Sequence, residues 1–162
     1  MKKVIVIGCP GSGKSTLSKK LHRKTGLPLY HLDLLRWNAD QTMVEKRVFL
    51  ERLSNVLKQD AWIIDGNYGS TMESRMRACD TVIFLDYPLD VCLDGISKRS
   101  GKPRSDMPWT EPEQYDREFI GFIRNYSSQS RPQVMRLLEK YADRNIIIFK
   151  ARYEADLFLS QI

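Results

Sequence analysis

The residues best equipped for chemistry stand near the start of the 162-residue chain, where positions 8 to 16 read Gly-Cys-Pro-Gly-Ser-Gly-Lys-Ser-Thr. Gly8, Gly13, Lys14 and Ser15 fill the spacing G-x-x-x-x-G-K-[ST], which wraps backbone amides around a chain of phosphates. Glycines at 8, 11 and 13 allow backbone angles and close approaches that a Cβ would obstruct, so successive N–H groups can turn inward. Lys14 supplies a mobile point charge. Ser15 opens a helix, where exposed N–H groups and the dipole already favour an anion, and its hydroxyl is placed to ligate a magnesium ion carried by a nucleotide. The run Gly8, Cys9, Pro10, Gly11, Ser12, Gly13, Lys14, Ser15 and Thr16 is therefore expected to bind nucleotide phosphates. Cys9, inside the loop at a helix start, has the setting for a somewhat acidic thiol, with plain filler as its other role.

Such a loop needs a strand to lead in and a helix to lead out. Residues 4 to 7 form an unbroken apolar run, as in a strand buried on both faces of a parallel sheet. Leu17 and Leu21 give the helix at about 15–24 an apolar stripe, stopped by Gly26 and Pro28. Further strands are predicted at 27–32, 62–65, 81–85 and 145–149. Between them, Val44, Val48, Leu53, Val56 and Leu57 predict one or two helices, and Pro88 with Asp90 opens a helix carrying Val91, Cys92 and Ile96. Ser70 with Glu73 has the capping-box form ahead of a helix at 71–78. Thr110 with Glu113 and Ser130 with Gln133 have the same form, ahead of helices bearing Tyr115, Phe119, Phe122 and Ile123 and bearing Val134, Leu137, Leu138 and Tyr141.

Five short strands alternating with helices indicate an α/β protein with a parallel sheet covered on both faces. Ligands of such sheets sit beyond the carboxyl ends of the strands, and four strands here end at Gly8, Asp33, Asp65 and Asp86. Asp33 and Asp65 have the alternative of capping helices, but beside the phosphate loop they read as site residues. Asp86, ahead of Pro88, is as readily a helix cap as a site residue. The basic loop 98–104 lies across from the phosphate site and reads as functional more than as solvated surface. His22 and His31 carry no expected role. Trp37, Trp62 and Trp109 read as packing residues, because no basic-aromatic interleaving surrounds them.

Hydrophobic content of 42% and charged content of 28% fit a soluble globular chain, and the length suits one domain. No run approaches a membrane span and no signal-peptide layout precedes the first strand, so a cytoplasmic location is the expectation. Cys9, Cys79 and Cys92 are odd in number and lack metal-ligand spacing, which predicts reduced thiols without disulfides or zinc. The net charge of +6 comes from lysines and arginines spread along the chain, many of them where a protein handling polyphosphates needs them. Charge alone does not separate an enzyme from a nucleic-acid regulator.

The loop 8–16, Asp33-Leu-Leu-Arg36, Ile-Ile-Asp65-Gly66, Val-Ile-Phe-Leu-Asp86-Tyr-Pro88 and the loop Arg99 to Asp106 together resemble the adenylate-kinase-like nucleoside monophosphate kinases over nearly the whole chain. Within that group, His-Leu-Asp33, Trp-Ile-Ile-Asp-Gly-Asn-Tyr68 and Lys98-Arg-Ser-Gly-Lys-Pro-Arg-Ser-Asp-Met107 resemble small proteins known as DNA topology modulation (FlaR-like) proteins. The resemblance implies a three-layer P-loop NTPase fold across residues 1–162, with a five-stranded sheet of order 2-3-1-4-5. It also implies an acceptor-binding segment at about 33–60 and a lid insertion at about 99–110. As implied roles, Lys14 and the loop amides hold ATP, Ser15 and Asp65 hold Mg2+ with the aspartate acting through water, and Asp33 and Arg36 face the acceptor. Arg99 and Arg104 match lid arginines, and Arg124 matches a third phosphate-binding arginine.

Adenylate kinases follow the corresponding aspartate with Gly-aromatic-Pro-Arg, whose arginine holds the acceptor phosphate, whereas here Asp65-Gly66 runs into Asn67-Tyr68-Gly69. Arg75 is the expected substitute and Tyr68 is expected to stack on a base or sugar; an acceptor other than AMP is equally open. Gly95 stands where many relatives carry a lid-hinge arginine, and the segment between Lys14 and Asp65 is shorter than in typical adenylate kinases. The implied reaction is in-line transfer of the ATP γ-phosphoryl to a small acceptor, with Lys14, Arg99, Arg104 and Asp33 as catalytic groups. Asp33 is the expected general base if the acceptor is a hydroxyl. The alternative is a P-loop ATPase or nucleic-acid-associated regulator without a small-molecule acceptor. Expected partners are the small acceptor and, at most weakly, nucleic acid, with no membrane; a monomer is expected and a dimer is left open.

Overall fold

Strands that are apolar on both sides demand cover on both faces, and the computed structural model, which describes every residue except Ser105, has that architecture. Ser105 belongs to the expected lid, and that part of the expectation lies outside the described residues. Strands β1 (Lys3–Gly8), β2 (Leu29–His31), β3 (Trp62–Asp65), β4 (Thr81–Leu85) and β5 (Asn145–Phe149) form a parallel sheet in the order β2-β3-β1-β4-β5. The expected order 2-3-1-4-5 is the observed one. Val6 pairs with Asp65 and Gly8 with Leu85, so the register delivers the phosphate loop and the β3 aspartate to one carboxyl edge.

Period-two alternation divides the core. Val4, Val6, Ile63 and Ile83 meet Leu17 and Leu21 of α1 (Lys14–Thr25) and Ala155 and Leu159 of α8 (Arg152–Gln161). Ile5, Ile7, Ile64 and Phe84 instead meet α3 (Lys46–Leu57), α4 (Gly69–Ala78) and α7 (Arg131–Lys140) through Phe49, Leu53, Met72, Met76 and Leu137. Each fully buried side chain of this kind contributes about 1.5–3 kcal/mol relative to exposure. A third cluster of Cys9, Cys92, Ile96, Ile123 and Tyr126 joins the phosphate loop to α5 (Leu89–Arg99), α6 (Arg117–Arg124) and the π-helical turn Tyr126–Ser130. Among the described residues no helix is long and apolar enough to cross a membrane.

Several local expectations need correction. Strand β2 stops at His31, because its partner β3 ends at Asp65, and Asp33 sits in the short helix α2 (Leu32–Arg36) and not at a strand end. None of the capping boxes forms. Helix α4 starts from Tyr68 in the left-handed region (φ 37°), and Glu73 is drawn outward by Lys140 Nζ at 2.6 Å and Tyr141 Oη at 3.0 Å. Thr110 forms an antiparallel bridge with Pro103, and α6 begins only after Asp116, whose carboxylate accepts the Phe119 N–H at 2.7 Å. Ser130 already has helical backbone angles as the end of the π-helical turn, and Gln133 Nε2 donates to the Gly69 carbonyl. Helix α8 was not anticipated, although Ala155 and Leu159, four residues apart and buried, carry its signal.

Candidate functional site

Beyond the carboxyl edge of the sheet lies a cavity of about 1330 Å3, lined by the phosphate loop, the end of β3, residues of α2 and the segment 100–116. The loop's geometry is fixed by contact with α5. Gly11 takes φ 84°, and a Cβ there would stand 2.0 Å from the Cys92 carbonyl oxygen. From the other side, a Cβ on Gly95 would stand 1.9 Å from the Gly11 carbonyl. Gly95 is thus explained by packing on the loop, whatever side chain the kinases carry there. Gly13, in the left-handed region at φ 95°, precedes α1 and has no side chain with which to cap it, so the first-turn amides are left to a ligand.

Lys14 has arched back over the loop, donating from Nζ to the carbonyls of Gly8 at 2.9 Å and Cys9 at 3.2 Å. Burial, followed by the charge of Arg99, lowers its pKa, and the charges of Asp65 and Asp33 oppose that shift. Cys9 offers the loop its backbone only. Its thiol donates to the Ile123 carbonyl at 3.9 Å within the third core cluster, and the neighbouring Cys92 side chain together with burial pushes its pKa up, which favours the filler role.

Asp65 is 3% exposed, and the His31 Nδ1–H donates to its Oδ2 at 2.8 Å. A carboxylate only accepts, so the histidine carries the proton on that nitrogen. His31, given no role from sequence, fixes the orientation of Asp65; the parallel pairing His31↔Asp65 is what joins them. A second chain of bonds holds Asp33. Trp37 Nε1 donates to Tyr68 Oη at 2.9 Å, and that hydroxyl donates to Asp33 Oδ1 at 2.7 Å. Burial raises the Asp33 pKa, opposed by the Tyr68 bond and by the charges of Lys14 and Arg104.

The arginines are distributed differently from expectation. Arg75 has no exposed surface and is spent on backbone: it donates to the carbonyls of Gly66 at 2.9 Å, Asn67, and Tyr68 at 3.3 Å. Burial pulls its pKa down to about 9, which leaves it charged at neutral pH. It shapes the β3–α4 loop and has no surface to offer an acceptor phosphate. Arg36 donates to the Val44 carbonyl at 2.7 Å and stacks over Phe49, turned from the cavity. Arg124 is exposed and does not line the cavity. Asp86 neither caps a helix nor enters the site: Arg131 at 2.8 Å and Lys150 hold it, and their bonds lower its pKa against the raising effect of burial.

In the segment 100–116, Arg104 bonds Asp106 through Nε at 3.0 Å and Glu111 through Nη1 at 2.6 Å, and Arg99 Nε lies 4.0 Å from the same Glu111 oxygen. Asp106 also accepts a hydrogen bond from the Ser15 hydroxyl. Against the raising effect of burial, the Arg104 and Ser15 bonds hold the Asp106 carboxyl at about 2. Glu111, Asp106, Asn67 and Arg152 are cavity residues that sequence reasoning missed. Asn67 Oδ1 accepts the Gly8 N–H at 3.2 Å, and Arg152 Nη2 donates to the Gly11 carbonyl at 3.4 Å. Only position after Gly66 could have marked Asn67; Arg152 had no signal without α8.

The sheet order and the loop after β1 define the P-loop kinase fold. Among solved structures, the chain is similar to a shikimate kinase from Acinetobacter baumannii in complex with shikimate, at 13% identity and a TM-score of 0.66, covering 99% of this chain and 90% of that one. It is also similar to a shikimate kinase from Bacteroides thetaiotaomicron, at 19% identity and a TM-score of 0.57, covering 98% of this chain and 94% of that one. No protein-family profile and no curated protein sequence matches the chain.

Proposed function

We propose that the chain is a magnesium-dependent phosphotransferase that moves the γ-phosphoryl group of ATP to a hydroxyl of a small acceptor. The observation that carries this reading is Asp33: a half-buried carboxylate held by Tyr68 on the cavity wall, close enough to Lys14 and Arg104 for their charges to lower its pKa. An ATPase that only hydrolyses has no need of such a group. The two shikimate kinases support the fold that this chemistry requires, one of them in complex with shikimate.

The residues present suit Mg-ATP. Uncapped first-turn amides, the half-buried Lys14 ammonium and the Ser15 hydroxyl form a cradle for polyphosphate. Ser15 and, through water, Asp65 would hold Mg2+, which supplies charge neutralisation on the phosphates. Lys14 leaves the loop carbonyls to meet the phosphates, His31 keeps Asp65 in one orientation, and Asp33 takes the proton of the acceptor hydroxyl. Arg99 and Arg104 of the proposed lid, within about 99–110, neutralise charge on the transferred group once the lid pairs with Glu111 and Asp106 rearrange. Closure excludes water, whose attack would waste ATP.

The test is ADP release from magnesium-ATP across a panel of alcohols, scored above the acceptor-free rate. Lys14→Ala is expected to lose ATP binding by roughly 1.5–3 kcal/mol, the value of a hydrogen bond to a charged group. Asp33→Asn is expected to abolish the acceptor-stimulated rate while ATP still binds. An unchanged rate in Asp33→Asn would leave an ATPase as the better reading.

A further inference from the structure

Resting on that phosphotransfer reading, the structure also specifies the charge of the acceptor. The acceptor side of the cavity is built by α2 and the segment after it, by the β3–α4 loop with α4, and by the start of α7. Every basic side chain described on these elements is committed elsewhere. Arg36 serves the Val44 carbonyl and Phe49, Arg75 serves three backbone carbonyls, Arg77 lies 4.0 Å from Glu73, and Arg131 clasps Asp86. From the segment above, Arg104 faces Asp106 and Glu111.

What remains on this side is two carboxylates, amides and aromatic rings. Asp33 and Asp65 line the cavity, while Asn67 and Gln133 offer neutral polar groups. Trp37 and Trp109 both line the cavity and meet edge to face, with centroids 5.4 Å apart at 87°. Trp37 belongs to the acceptor segment and Trp109 to the segment that would close over it. A phosphate or carboxylate seated beside Asp33 and Asp65 would meet like charges, while the basic side chains of these acceptor-side elements are already engaged with their own chain. A flat apolar face would be welcomed by the indoles.

We infer that the acceptor is an uncharged alcohol with a flat apolar face, of the nucleoside kind, its hydroxyl against Asp33 and its face against Trp37 and Trp109. In the transfer, the acceptor oxygen forms a bond to the γ-phosphorus of ATP as the bond from that phosphorus to the β,γ-bridging oxygen breaks. ADP leaves with that electron pair. The hydroxyl proton passes to the Asp33 carboxylate and thence to solvent.

The experiment fills the nucleotide site with magnesium and a non-hydrolysable ATP analogue and follows tryptophan emission during titration with adenosine, cytidine, AMP and CMP. Each nucleoside is expected to quench with a dissociation constant at least tenfold below that of its own monophosphate. Asp33→Asn is expected to narrow that ratio, because the repelling charge is gone, a change that a merely structural aspartate would not produce. Parallel assays with ATP score ADP release for the same four compounds. If a monophosphate binds as well as its nucleoside or gives the faster ADP release, the inference on charge falls while the phosphotransfer reading stands. If none of the four quenches or raises ADP release above the acceptor-free rate, the nucleoside assignment falls. If, in addition, Lys14→Ala leaves acceptor-free ADP release unchanged, the phosphotransfer reading falls with it.

Discussion

Asp33 and Tyr68 form a pair whose electrostatics can be read from a pH profile. Burial holds the Asp33 pKa above the ordinary carboxylate value, and the Tyr68 hydrogen bond pulls it partway back. A base acts in its ionised form, so the acid limb of kcat/KM should lie above the ordinary carboxylate range and the rate should fall as pH drops through it. Tyr68→Phe removes a bond that lowers this pKa, and the limb should move to higher pH; a limb unmoved by that change would show that another group governs it. Arg75 gives a second prediction at this scale. Replacing it with methionine strands the carbonyls of Gly66, Asn67 and Tyr68, at about 1–3 kcal/mol for each buried group left unpaired. Urea unfolding should therefore show a clear loss of stability. A variant of full stability that has lost only its acceptor would restore Arg75 to the role of an acceptor clamp. The sequence shows an arginine ten residues after Asp65 but not which way it points, because both a ligand and a row of backbone carbonyls attract a guanidinium.

The proposed reaction requires the elements to move against one another at the segment 100–116. Its hold on the phosphate loop is Asp106, whose carboxylate takes the hydroxyl of Ser15 and the guanidinium of Arg104 together. If magnesium-ATP binds as proposed it must displace that contact, so Asp106→Asn should lower the KM for magnesium-ATP by roughly tenfold, the worth of about 1.4 kcal/mol for one charge-assisted bond. Steady-state kinetics decide it, and an unchanged KM would mean that the segment leaves the loop at no cost. The carboxyl titrates at about 2, depressed from 3.8. The contact is therefore at full strength above about 4 and is lost as pH falls toward 2, a change the emission of nearby Trp109 should report. The strands and the phosphate loop were legible because their apolar runs and glycine spacing are local. Helix starts were less so: serine, threonine and glutamate satisfy a capping pattern on paper, while in the fold Glu73 prefers Lys140 and Gln133 prefers the Gly69 carbonyl.

At the scale of the whole molecule, the net charge of +6 predicts weak, sequence-indifferent association with DNA that fades as salt rises through the physiological range. A complex persisting at physiological salt in a filter-binding titration would favour the regulator over the enzyme. Much of that charge is spent internally: Arg36, Arg75, Arg104, Arg131 and Arg152 each hold a carbonyl or carboxylate of their own chain. A sequence counts such charges without revealing their partners, which lie up to 141 residues away. The meeting of Gly11 with Gly95 carries this furthest. With backbone against backbone and no room for a methyl group between them, the two glycines act as a keystone. On the proposed reading, the seat of the donor and the root of its cover would share this one contact, so whatever settles into the seat would steady the cover from below before the cover has touched it.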